Sequence, residues 1–94
     1  MLRNKFKTEL TNAMKDKDSV KLSTLRLIIA AVKDRDLESR AKGNVESISD
    51  SEILNILSKM VKQRVETAKV YQKANRLDLA KNEEKEVLII NAFM

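Results

Sequence analysis

One glycine and no proline in 94 residues leave this chain almost without the residues that build tight turns, bulges and edge strands. A sheet of short strands needs turn chemistry every few residues; helices joined by short polar connections do not. Lys, Glu, Leu and Ala are all good helix formers and dominate the sequence. With only two Phe and one Tyr, a core has to come from aliphatic side chains and Met. The expectation is an all-α chain, a compact bundle of about four helices in a single domain over residues 1–94.

Apolar periodicity divides the chain accordingly. Leu2, Phe6, Leu10 and Met14 recur every four residues and predict a first helix over about 2–15. "DKDS" breaks it, and Asp18 or Ser19 can cap a second helix over about 20–39. On that helix Leu22, Leu25, Ile28, Ile29 and Val32 form one face, while Val20, Leu27 and Ala31 lie nearly opposite, so it is expected to be central and buried on both sides. In "RAKGNVESI", Gly43 and Asn44 tolerate the positive φ of a turn. Ser49 and Glu52 then form a capping box that opens a third helix over about 50–74. Asn75 suits a helix-ending left-handed position, and a fourth helix follows over about 77–92, acidic early as the macrodipole favours.

The chain has neither cysteine nor histidine. A disulfide framework, a zinc–thiolate site, a thiol nucleophile and an imidazole base are therefore all excluded. Each serine has a role at a helix start, in the loop or within a helix, and none sits in a nucleophile elbow. The pairs Asp34 with Asp36 and Glu83 with Glu84 read as solvated or salt-bridged, without metal-ligand spacing. No glycine-rich loop is present to cradle a nucleotide. No catalytic residue, metal site or cofactor is expected. The longest apolar run, residues 27–32, is too short to span a bilayer. The basic start has no signal-peptide core, and Glu9 argues against an import sequence, so the expected location is the cytoplasm.

The net charge of +5 is unevenly spread, and "KMVKQRVETAKVYQKANR", residues 59–76, alone carries +5. On a helical projection Lys59, Lys62, Lys69, Lys73 and Arg76 share one stripe with Glu66, opposite Ile53, Leu57, Met60, Val61, Ala68 and Tyr71. Two readings compete: a solvated face, or a track for nucleic-acid phosphates. The pattern alone favours the first, since lysines without interleaved aromatics lack readout chemistry. Arg64 stands in the middle of the apolar face, where a guanidinium needs a carboxylate. Asp36 is its first candidate partner, in a structural ion pair across helices, and Glu83 or Glu84 the second.

Several segments together resemble the GatB/YqeY family. They are Met14-Lys15-Asp16-Lys17-Asp18, Leu25-Arg26-Leu27, Lys62-Gln63-Arg64, Tyr71, Lys73-Ala74, Arg76, Asp78-Leu79-Ala80 and the Glu-rich last helix, in that order over almost the whole chain. The resemblance implies a four-helix part that in relatives continues through a Leu-Pro segment into a three-helix tail. These residues would then be the four-helix half, without the tail. It also implies a link to the B subunit of the tRNA-dependent amidotransferase, a carbon–nitrogen ligase using glutamine as amido donor. There the helical region is an accessory to tRNA handling, and the chemistry lies in a separate domain that nothing here matches. Gln63 and Arg64 occupy the family's Gln-Arg positions, which fits a structural or interaction role.

The resemblance brings the two readings of the basic stripe level. Three functions are carried forward. The first is a non-catalytic accessory module of translation touching tRNA backbone through Lys59, Lys62, Lys69, Lys73 and Arg76. The second is a component of the ligase itself, with amidotransferase subunits as partners. The third is a protein-interaction bundle, in which the last helix, apolar on all sides from Val87 to Ile90, supports dimerisation unless the tail covers it.

Overall fold

Short polar connections and helix-forming segments give the expected all-α result. The computed structural model describes residues 1–94 as four helices with no strand: α1 Leu2–Lys15, α2 Ser19–Ala41, α3 Asp50–Lys73 and α4 Leu77–Asn91. The most extensive pairing is α3 with α4, the next is α1 with α2, and α2 also touches α3 and α4. Leu2, Phe6, Ala13, Leu25, Ile28, Val32, Ile48, Ile53, Leu57 and Ile90 make one continuous core.

Helix starts follow the local chemistry. The Asp18 carboxylate accepts from the Lys21 amide at 3.1 Å, and the Ser49 hydroxyl accepts from the Glu52 amide at 3.2 Å. Each satisfies an amide that the helix itself leaves free. The capping box is formed in one direction: the Glu52 carboxylate instead reaches across to Arg35 at 3.4 Å.

All three connections end a helix in the same way. The residue just past each cap takes the left-handed conformation: Lys17 at φ 54°, Gly43 at 94° and Asn75 at 58°. Lys17 and Asp18 donate back to Met14 and Ala13 (3.3 and 3.0 Å), Gly43 and Asn44 to Arg40 and Ser39 (2.9 and 3.1 Å), and Asn75 and Arg76 to Gln72 and Tyr71 (3.1 and 2.8 Å). This paired return satisfies the last carbonyls of each helix. Gly43 and Asn75 are the residue types such a position favours. Lys17 is not, and its Cβ carries the steric cost of left-handed backbone.

Two expectations about packing need correction. Spacing by four drifts about 40° per step on a helix of 3.6 residues per turn, so the α1 stripe rotates off the core. Met14 ends 57 % exposed and Ala13 is buried in its place. In α2 only the side carrying Thr24, Leu25, Ile28 and Val32 is buried. Leu27 is 50 % exposed, because α2 meets its three neighbours through one broad face and nothing lies behind it.

Replacing Lys17 by Gly removes the left-handed penalty and is expected to stabilise the fold by about 1 kcal/mol. Gly43→Ala is expected to cost a similar amount. A Cβ there meets nothing within 4 Å, so its effect is confined to the backbone. Urea unfolding followed by circular dichroism measures both changes.

Candidate nucleic-acid interface

The spacing that aligned the basic residues in projection puts them on one side of α3. Lys59, Lys62, Lys69, Lys73 and Arg76 are all exposed, as is Glu66 among them. At 1.5 Å per residue the lysines extend over about 21 Å of helix. None of the four lysines is in an ion pair, whereas Arg3, Arg35, Arg64 and Arg76 all are. Arg76 contributes less free charge than they do. Its guanidinium lies 3.4 Å from Asp78, and this contact, helped by the Leu79 amide, holds the Asp78 carboxyl below its usual range. Tyr71 is half-buried, away from the lysine stripe. The stripe thus offers point charges for a backbone and no stacking surface.

Arg64 makes a cross-helix carboxylate contact, but with neither of its expected partners. Its Nε donates to Glu86 Oε1 at 3.1 Å and its Nη1 donates to the Met60 carbonyl at 3.2 Å. Both partners of the pair are largely buried. Asn82 Nδ2 donates to the other Glu86 oxygen at 3.3 Å. Beside them, burial pushes the Glu83 carboxyl up, and the Glu86 charge adds to that effect. The pairing of Arg64 with Asp36 is ruled out by length. Asp36 sits against the segment just before α3, whereas Arg64 lies about 21 Å further along that helix.

Asp36 is instead one half of a clamp that the sequence did not announce. Arg3 Nη1 donates to Asp36 Oδ2 at 2.8 Å and Nη2 to Oδ1 at 3.0 Å, a bidentate pair. Arg3 Nη2 also donates to the Ile48 carbonyl at 3.1 Å, and the Ile48 amide donates to Asp36 Oδ1 at 2.9 Å. The hydrogen bonds from Arg3, then from the Ile48 amide, hold the Asp36 carboxyl below its ordinary value against the opposing effect of burial. The available signal was positional: Arg3 adjoins the buried Leu2 at the edge of the α1 stripe. No group of three or more acidic side chains converges where a metal ion could be held.

The YqeY-like protein family matches residues 3–94. The chain belongs to that family. It is 33% identical over 93 residues to a protein of Clavispora lusitaniae called "Altered inheritance of mitochondria protein 41, mitochondrial", covering 99% of this chain and 51% of the relative. The protein of the same name in Meyerozyma guilliermondii is 34% identical over 91 residues, covering 97% and 45%. An uncharacterized protein of Schizosaccharomyces pombe is 27% identical over 89 residues, covering 95% and 68%. The chain therefore spans about half the length of the first two relatives. Their names also overturn the cytoplasmic location expected from the basic start and Glu9, since these YqeY-like relatives are mitochondrial proteins. The composition of residues 1–15 was too weak a basis for a location.

The sign of the Asp36 effect follows from its lowered value. Its contribution to stability is fully present above the unfolded carboxylate value and is lost as pH falls through the folded one. Asp36→Asn is therefore expected to flatten the loss of stability below about pH 4. Asp36→Ala, which leaves Arg3 unpaired, is expected to cost about 2 kcal/mol at neutral pH. Thermal unfolding across an acid pH series checks both outcomes.

Proposed function

We propose that this YqeY-like domain is a non-catalytic accessory module of translation, touching the sugar–phosphate backbone of tRNA through the α3 lysines. The observation that carries the reading is the run of Lys59, Lys62, Lys69 and Lys73 on one solvent face without a carboxylate partner. Keeping unpaired lysines together on one stripe costs self-repulsion, which a polyanion relieves by taking the place of condensed counterions. The resemblance to the helical region of the amidotransferase B subunit supports tRNA as the polyanion, and the names of the fungal relatives support a mitochondrial setting. Lysine contacts of this kind position a backbone and carry no sequence information, so the contact is nonspecific. Chemistry on a bound tRNA would belong to a partner enzyme.

Fluorescence anisotropy of labelled tRNA tests this reading. Contacts from four lysines predict affinity about 20- to 50-fold weaker at about 150 mM salt than at about 50 mM. Changing Lys62, Lys69 and Lys73 together to Glu is expected to abolish binding. Changing the exposed Lys15, Lys33 and Lys42 to Glu alters net charge equally and is expected to leave most of the binding. Equal losses in the two variants, or no binding at low salt, would overturn the proposal.

A further inference from the structure

Between α2 and the first half of α3 lies a cleft of ≈ 520 Å³, within the range of small-ligand pockets. Its α3 wall is a row of exposed polar side chains four residues apart, Asn55, Lys59 and Gln63. Ile56 and Met60, both half-buried, supply its apolar part. Arg35 stands on the α2 side, its guanidinium held by Glu38 at 3.0 Å and by Glu52 at 3.4 Å.

Charge decides what this cleft does not hold. Arg35 and Lys59 are matched by Glu38 and Glu52, so the cleft offers no net attraction to a phosphate. Hydrogen bonding and shape decide what it can hold. Further along the bundle the amides are used within the fold, Gln72 donating to Glu84 at 3.0 Å and Asn82 to Glu86 at 3.3 Å. The exposed amides of Asn55 and Gln63 have no partner in the chain, and each offers donors beside an acceptor. The thioether of Met60 and the pinned guanidinium of Arg35 both favour the face of an aromatic ring. A flat, neutral ring with a donor and an acceptor on its edge makes use of all four groups.

Lys59 connects this cleft to the basic stripe. It lines the cleft and is also the first lysine of the stripe, with Lys62 about 4.5 Å further along the helix. A strand whose phosphates follow Lys62 and Lys69 therefore brings its next nucleotide to the cleft. We infer that the cleft between α2 and α3 takes one unpaired base of that strand, adenine being the base whose edge an Asn or Gln side chain meets with two hydrogen bonds. The inference rests on the phosphate-track reading and adds to it a contact that reads a base, which the lysines cannot do.

Fluorescence anisotropy separates the two contacts, using a labelled adenylate strand of about ten nucleotides beside an abasic ribose–phosphate strand of the same length and charge. At low salt the adenylate strand is expected to bind about 10-fold tighter. Changing Asn55 and Gln63 together to Ala is expected to remove that preference, with the affinity for the abasic strand and its salt dependence unchanged. Both positions are exposed on α3 and alanine favours helix, so circular dichroism is expected to show an intact fold. Adenosine monophosphate at about 1 mM is expected to leave the strand bound, since one base supplies only part of the affinity. Equal affinity for the two strands, or a preference that survives in the double variant, would overturn the inference while the phosphate track stands. Displacement by the mononucleotide would overturn it by giving the cleft to a free nucleotide. Binding of neither strand would overturn both readings.

Discussion

The bidentate contact between Arg3 and Asp36 sets the frame in which the rest of the chain packs. Apolar burial between α1 and α2 is non-directional, so it specifies their relative height less sharply than a polar contact does. The guanidinium fixes that register, since both of its bonds require one position of α1 against α2. The same two side chains hold the amide and the carbonyl of Ile48, and so carry the end of the long connection. Ile48 is thereby held in the core, one residue before the Ser49 cap that starts α3. One ion pair thus positions three segments of chain, and α3 departs along a direction set at the clamp.

From that start α3 runs away from the clamp and finds its main partner in α4. The half of the molecule distant from Arg3 has its own polar tie, Arg64 with Glu86, between the two helices. The two ends are thus built alike, each with a largely buried acid and an arginine beside an apolar seam. The edge-to-face contact of Phe6 with Phe93, centroids 5.0 Å apart, joins them by bringing the end of α4 back onto α1. A bundle assembled this way is long and thin, at 47 × 31 × 19 Å. Its helices therefore keep broad outer faces, and the differences among those faces are where function is written.

How much of this could be read beforehand depended on the range of each interaction. Helix limits, the Asp18 and Ser49 caps and the turns at Gly43 and Asn75 are encoded by residues within four positions of one another, and they were legible. Lys17 was not, since lysine carries no preference for left-handed backbone and takes it there to complete the hydrogen bonds that end α1. Arg64 was correctly placed as needing an acid, but projection angles on separate helices say nothing of relative height. Asp36, and after it Glu83 or Glu84, were therefore the expected partners, and Glu86, the acid that the folded chain supplies, was not among them. The basic stripe was legible as a stripe, because all its members share one helix. Its freedom from ion pairs depends on neighbours, which only the folded chain supplies.

Two unlike outer faces meet along α3, and their proximity constrains what the domain can do at once. Lys69 is a member of the lysine stripe and also an edge of the groove beside Leu88. Anything seated in that groove would desolvate that end of the stripe. Charge effects between the two faces fade beyond a Debye length of about 8 Å at physiological salt. Salt also separates the two faces. It screens charge repulsion around an apolar contact without weakening the contact itself, and it removes the counterion release that draws a polyanion to lysine. An apolar contact in the groove and a phosphate contact on the lysine stripe therefore respond to ionic strength in opposite senses, although a single side chain, Lys69, borders both.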